Sequence, residues 1–514
     1  MLPLRGSFRD PRQVARRARR NTSAMRMPLA LIALAVTTAT TLPTPAYAHQ
    51  PGACVPAGLE RCERWAATYD DATIAPPYRS DQFAQQVLVN DTTVFTVVRD
   101  VAHDTRDAYA SKATTLVVAA DRATGATRWT TTQAHRHYLS VHNATLSPDG
   151  ARLYLSGAAY DGYVVGATDS VLTTTAIDAA SGAILWTTHW DNLPNGTDGS
   201  KGIVADATRV YVTGVTTPAG GGLDYVTLAY DAATGAIAWT STYAGPRSTG
   251  QDAPFGIALA GGTVAVTGWS DGTVEFDADY ATVAYDAATG AQRWVRRYDG
   301  VGAHKSDRAM AIAADADTFY VTGDSWAGTS GAGYDYATVA YAAADGAQRW
   351  ASRWSGGRGG FNSPDSVAVH GGTVVVTGQA TAASADDGND AGTVAYDAAT
   401  GAARWQALHG APRHDDYGKG LAVAGGTAYV VTTDVPLVPY TSLAHVQVVA
   451  YDLATGGAGW RTRLDGRPGD ALAAAGIATD GTDVAVTANA TYSASPLKPP
   501  TQNVYDAVTA IFAG

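Results

Sequence analysis

From residue 63 onward, apolar and polar positions alternate with a period of two in short runs broken by Gly, Asp and Thr. Between residues 307 and 354 the runs cover 309–313, 318–323, 335–341 and 348–354, with Asp345-Gly346 separating the last two. Alternation of this kind predicts half-buried strands, and an Asp-Gly pair between two of them predicts a tight hairpin. Four such runs with no helical stretch between them predict one four-stranded antiparallel unit.

The unit recurs. A Gly and a Trp four residues apart appear at Gly125/Trp129, Gly182/Trp186, Gly235/Trp239, Gly290/Trp294, Gly346/Trp350, Gly401/Trp405 and Gly456/Trp460, with successive Trp residues 53 to 57 positions apart. A period in that range marks one supersecondary unit copied along the chain, too long for leucine-rich or ankyrin repeats. The C-terminal run 506–512 reads as a third strand and then stops. Its missing fourth strand appears near the other end, where Glu63-Arg64-Trp65-Ala66-Ala67-Thr68-Tyr69 resembles Gln292-Arg293-Trp294-Val295-Arg296-Arg297-Tyr298. Seven complete units and one shared between the termini predict an all-β, eight-bladed β-propeller of four-stranded antiparallel blades over 63–514. The ring is closed by the N-terminal strand around Trp65 joining the C-terminal blade, which leaves no open sheet edge at the seam.

Residues 1–48 differ in kind: an Arg-rich leader, a short apolar run over 29–36 and Ala46-Tyr47-Ala48 predict a signal peptide cleaved after Ala48. The apolar run would span only ~12 Å as a helix, too short for a membrane anchor. A secreted protein with no transmembrane segment after cleavage is expected. The leader carries eight Arg and one Asp, so its removal takes the formal charge from −11 to −18. An acidic surface argues against nucleic acid as a partner, since nothing is available to neutralise phosphates. Glu occurs only at 60, 63 and 275; the rest of the acid is Asp, a turn residue. Cys54 and Cys62 are the only cysteines, and outside the cell they are expected to pair as a disulfide in an N-terminal arm over 49–62.

The phrase Ala-x-Asp-x-x-Thr-Gly-x-x-x-Trp, clearest at Ala284/Asp286/Thr289/Gly290/Trp294, Ala229/Asp231/Thr234/Gly235/Trp239, Ala395/Asp397/Thr400/Gly401/Trp405 and Ala450/Asp452/Thr455/Gly456/Trp460, resembles the tryptophan-docking motif of pyrroloquinoline quinone (PQQ) repeat propellers. The copy at Ala176/Asp178/Gly182/Trp186 is close, and Ala342 replaces the Asp in the fifth. The resemblance implies an eight-bladed ring in which each Trp packs on the next blade. For the family's enzymes it also implies a quinone and a calcium ion over the central channel, held with an adjacent cysteine pair, acidic and amide ligands and a catalytic aspartate. This chain has no adjacent cysteines and no Cys-x-x-Cys-His haem attachment pattern, so PQQ is not expected.

Residues common to all blades build the ring, so candidates for chemistry are sought elsewhere. Asp198, Asp252, Asp307, Asn362 and Asp416 each lie five residues before an apolar position of an inner strand, which places them at one height around the channel mouth. The four Asp are candidate Ca²⁺ ligands, since that ion favours clustered oxygens; the alternative is that each caps a local turn. Asp386-Asp387-Gly388-Asn389-Asp390 resembles part of a calcium loop without its closing Glu and is read as an acidic hairpin tip. Connections from a fourth strand to the next first strand carry His135, His137, Tyr138, Arg247, His304, Lys305, Arg358, Arg413, His414 and Tyr417. Gathered on one face, such groups suit a carboxylate or sugar acid, or act as acid and base. Trp269 and Trp326 would suit stacking on a sugar, but they follow the second strand, which leaves open the face they occupy.

These observations predict a monomeric secreted propeller that binds a glycan or protein ligand without catalysis. The alternatives are a carbohydrate-active lyase or hydrolase using the His/Arg connections and, second, a PQQ-dependent dehydrogenase. No cofactor is expected beyond Ca²⁺ at the aspartate ring.

Overall fold

The structure, a computed structural model, describes residues 47–49, 63–69, 78–104, 107–134, 138–160, 170–194, 196–247, 249–273, 277–301, 305–328, 333–356, 360–382, 388–437, 443–464, 469–493 and 503–513. The predicted leader up to residue 46, both cysteines, and Asp386 and Asp387 of the acidic tip lie outside the described residues. The described residues hold strands and turns only, and no helix among them is long and apolar enough to cross a membrane.

Eight four-stranded antiparallel blades follow one another in a ring: an eight-bladed β-propeller. In chain order they begin with the strands Tyr78–Val89, Tyr138–Leu146, Gly199–Ala205, Asp252–Ala260, Arg308–Ala314, Ser363–His370, His414–Ala424 and Ala471–Thr479, here numbered blades one to eight. These first strands contact one another in turn around the ring, including the first with the last. Blade eight takes its fourth strand, Glu63–Tyr69, from the N-terminal side, with Trp65 paired to Ile511 and Thr68 to Val508. The predicted closure is therefore the observed one. Tyr47–His49 adds a short antiparallel strand outside it.

The core sits between blades. The Tyr, Val and Ala of second and third strands are buried almost completely and form one cluster at each blade interface, with a Trp in every cluster. In the blade four turn, Asp286 Oδ1 accepts the Ala288 and Thr289 N–H groups at 3.1 and 2.9 Å and the Thr289 hydroxyl at 2.8 Å. Gly290 has a φ of +74°, and a β-carbon there would stand 2.6 Å from Cδ2 of Trp239 in the preceding blade. The motif is thus a socket for the neighbour's indole, whose Nε1–H donates to the Ala287 carbonyl at 3.0 Å. The same N–H to carbonyl bond joins Trp129 to Ala179, Trp186 to Ala232, Trp294 to Ala343, Trp350 to Ala398 and Trp405 to Leu453.

Antiparallel pairing fixes what shares a rim. The starts of first and third strands and the ends of second and fourth strands lie together on one face, and the Asp-x-x-Thr-Gly turns lie on the other. The first of these is the loop face.

Candidate functional site

The aspartate ring sits on the loop face and is built into the scaffold. Asp198, Asp252, Asp307, Asn362 and Asp416 are each at most 1% exposed. The main chain ties four of them to the blade before: Asp198, Asp252, Asp307 and Asn362 donate their N–H to Ser170, Leu223, Ala278 and Tyr334 carbonyls at 3.1, 2.8, 2.6 and 2.8 Å. Their side chains hold the entry connection. Asp198, Asp252, Asp307 and Asp416 accept the N–H of Asn192, Gly245, Gly300 and Ala411 at 3.0, 2.7, 3.3 and 3.0 Å. Asn362 does the same with reversed polarity, donating to Ser355 O at 3.1 Å. This is the local capping role weighed against calcium ligation above.

The four aspartates do not bring their carboxylates together. Among the described residues one group of three carboxylates lies within metal-sharing distance, Asp279, Asp299 and Asp307. Arg297 already donates to Asp279 from Nε and Nη2 at 3.1 and 2.9 Å, and both oxygens of Asp307 accept main-chain N–H groups.

Blade seven breaks the pattern. In blades three to five a hydroxyl (Thr216, Ser270, Ser325) lies beside the ring aspartate at the end of the second strand. That hydroxyl in turn pairs across to Asp224, Asp279 or Asp335 of the third strand. In blade seven, Asp416 pairs with a second carboxylate, Asp434, and Asp434 pairs with His445. Asp434 is 2% exposed. It accepts His414 Nδ1–H on Oδ1, and His445 Nε2–H at 2.9 Å and Gln447 Nε2–H at 3.2 Å on Oδ2. His409, from blade six, reaches Gln447 Oε1 at 3.3 Å.

These contacts set charge and tautomer. Burial would raise Asp434, but the hydrogen bonds from His445 and His414 outweigh it and hold the carboxyl below its usual range. Burial pushes Asp416 up to about 7, aided by the facing Asp434 charge and opposed by the Ala411 N–H. With Nδ1 committed to Asp434, the other His414 nitrogen, Nε2, stands outside this contact, and the side chain is 24% exposed. Arg413, next to it, is the one non-glycine residue with positive φ, +63°, among those described. Strain of that kind costs about 1–3 kcal/mol and is kept where surrounding structure enforces it.

Blade five carries an aromatic group on the same face. Trp326 pairs with Tyr334 across the second and third strands, and Phe361 lies against Tyr334 with ring centroids 5.5 Å apart. Lys305 Nζ stands 5.9 Å from the Trp326 ring centre. Trp269 pairs with Ala253 at the start of a first strand, so both tryptophans belong to the loop face.

Of the residues singled out by sequence, His135, His137, His304 and Arg358, and the side chain of Tyr138, lie outside the described residues. His414 joins the blade seven group, Lys305 joins the blade five rings, and Tyr417 packs under Lys419 Nζ at 5.3 Å. Asp434, His445, Gln447 and His409 were not anticipated.

A family model described as outer membrane protein assembly factor BamB, built from PQQ-type repeats, matches residues 113–247, 168–331, 222–392 and 390–496. Those segments cover well over half of the chain. The chain belongs to this PQQ-like β-propeller family. No curated protein sequence matches it. A europium-containing methanol dehydrogenase is 13% identical with a TM-score of 0.50, the match covering 85% of this chain and 93% of that one. The quinohemoprotein alcohol dehydrogenase of Comamonas testosteroni is 14% identical at a TM-score of 0.46, covering 84% of this chain and 75% of that one. The ADHIIG enzyme of Pseudomonas putida HK5 is 13% identical at 0.47, covering 85% and 75%. At such identities the likeness is one of fold. Of the ring carboxylates, Asp307 has both oxygens on main-chain N–H groups, while one buried oxygen each of Asp198, Asp252 and Asp416 has no hydrogen-bond partner among the described residues.

Proposed function

We propose that this protein is an exported propeller whose loop face binds a glycan or protein ligand, the ring serving as a rigid frame. One observation carries this reading. The blade five rings and the blade seven His/Asp group both lie on the loop face, while on the opposite face blades three, four, six and seven repeat one Asp-anchored turn. A frame that repeats on one side and varies on the other is the arrangement of a recognition surface. The test is a glycan array together with a pull-down of identified partners, using the chain from His49, two loop-face variants (His414→Ala and Phe361→Ala) and an opposite-face control (Thr289→Ala). Retention by the control and loss by either loop-face variant supports the reading. The absence of any ligand, or loss only in the control, counts against it.

The blade seven group favours a second reading, an acid–base enzyme acting on carbohydrate. An imidazole whose tautomer is fixed by a buried carboxylate is the arrangement of a general base, and His414 on Asp434 has it. Release of new chain ends from acidic and neutral polysaccharides, abolished in His414→Ala, is the outcome this reading requires.

A further inference from the structure

Where Ser170 with Thr197 and Leu223 with Gln251 form single parallel bridges between blades, blade five extends the same contact: Gly360-Phe361 forms a two-residue strand parallel to Gly333-Tyr334. It places Phe361 beside Tyr334, which itself stands edge-on to Trp326 at 5.7 Å and 76°. Perpendicular ring pairs at such distances are favoured, so the three rings hold one another in place.

Buried groups anchor them from below. The Trp326 N–H donates to Asp307 Oδ1 at 3.0 Å and its carbonyl accepts Arg353 Nη2 at 2.7 Å. The Tyr334 carbonyl accepts both the main-chain and side-chain N–H of Asn362, at 2.8 and 2.9 Å. Two ring positions of the aspartate series therefore support this platform. On its outer side Phe361 is 43% exposed and Val301 49% exposed, although most large apolar side chains here are buried.

The charges beside the platform point to its ligand. Arg308 is paired with Asp324 at 3.0 Å and Arg353 with Asp335 at 3.2 Å. Lys305 is exposed, lies near the Trp326 ring and has no carboxylate partner among the described residues. An exposed ammonium with no carboxylate partner among the described residues, beside the half-buried Trp326 ring on a chain of net charge −11, is a local exception to the acidic surface.

We propose that this rim of blade five binds an acidic sugar: a uronate-type pyranose whose C–H face lies on exposed Phe361 and the half-buried rings beside it while its carboxylate meets Lys305. The proposal rests on the ligand-binding reading above and specifies its ligand class. Rings supply apolar area at little entropic cost, and one charge-assisted bond to a carboxylate supplies selectivity for acid over neutral sugar.

The test is calorimetric titration of the mature chain with trigalacturonate and with its methyl ester, at low and moderate salt. Trigalacturonate binds, more weakly as salt rises, and the ester binds about tenfold more weakly or not at all. Lys305→Gln weakens trigalacturonate by about tenfold and removes the salt dependence, and Phe361→Ala weakens both ligands by about the same factor. Both side chains are exposed, and unchanged melting temperatures verify folding. Failure of trigalacturonate to bind, equal binding of the ester, or full retention of affinity in both variants overturns the proposal. If trigalacturonate fails while the array yields a ligand sensitive to His414→Ala, this inference falls and the broader reading stands. If no ligand is found at all, both fall.

Discussion

Trp65 covers Gly125: a β-carbon on that glycine would stand 2.7 Å from the indole Cδ2, and the indole N–H donates to the Arg122 carbonyl at 2.9 Å. The two residues lie in blades eight and one, so this contact is the ring's seam. Gly125 has a φ of +73°. Alanine there costs about 1–2 kcal/mol for the left-handed backbone, and more for displacing the indole. Gly125→Ala is therefore expected to lose about 2–4 kcal/mol, and Trp65→Ala about 3–5 kcal/mol. Thermal unfolding of each against wild type measures this, with Gly220→Ala as a control where an added β-carbon meets nothing within 4 Å. A loss at Gly125 no larger than in that control sinks the account of closure.

Blade five lacks the turn aspartate, and the lack is repairable. In blade four Asp286 accepts two main-chain N–H groups, the Thr289 hydroxyl and, on Oδ2, Arg293 Nη2 at 2.6 Å. Blade five has Ala342 and Asp345 at those two positions, and Arg349 turns instead to Asp317 at 2.9 Å. Ala342→Asp alone would set two carboxylates together. The double variant Ala342→Asp/Asp345→Thr restores the turn and is expected to gain about 0.5–1 kcal/mol, as other turn and cap repairs do. A lower melting temperature in the double variant would show that the turn bonds are not limiting there.

The fold was legible because its determinants repeat. Gly290 and Trp294 are read as partners of neighbouring blades from spacing alone, and Trp65 betrays the closure because its strand matches residues 292–298. The site was legible only where it was conspicuous. His414 stood out in a connection, but Asp434, His445 and Gln447 lie inside ordinary strands 20 to 33 positions away. The missed signal was register. Once the repeats are aligned strand by strand, Asp434 stands where other blades have Thr216, Ser270 or Ser325, and His445 where they have aspartate. The aspartate ring was seen at the correct height, but spacing alone left calcium ligation and capping open. The bonds to Asn192, Gly245, Gly300 and Ala411 show that each carboxylate holds its own connection.

Asp434 keeps three N–H donors from two histidines and a glutamine satisfied inside blade seven. Asp434→Ala leaves all three without their acceptor and is expected to cost about 3 kcal/mol or more. Asp434→Asn keeps the shape but turns an N–H toward donors, so hydrogen exchange is expected to quicken at residues 410–417. Exchange mass spectrometry over that peptide, with the blade four peptide 286–294 as internal reference, reads the effect. Equal exchange in wild type and Asp434→Asn would remove the carboxylate's role in holding the connection.

Asp416 predicts how stability varies with pH. An unfolded aspartate loses its proton at about 3.9, whereas folded Asp416 keeps it up to about 7 and Asp307 up to about 6, both chiefly through burial. Between those limits the folded protein binds more protons than the unfolded chain, so this contribution is full below about 4 and is lost as pH rises toward 7. Asp121, Asp286 and Asp397, each held down to about 2 first by an arginine hydrogen bond, act in the opposite sense and lose their contribution as pH falls below 4. His142 and His409 are lowered by burial and also weaken the fold on acidification. These groups remain in Asp416→Asn, so the variant isolates one carboxyl. The melting-temperature advantage of wild type over Asp416→Asn is expected to shrink steadily between pH 5 and pH 8, the window set by the raised Asp416 value. A difference that stays constant across that range would mean that Asp416 is already ionised beside Asp434 at acid pH.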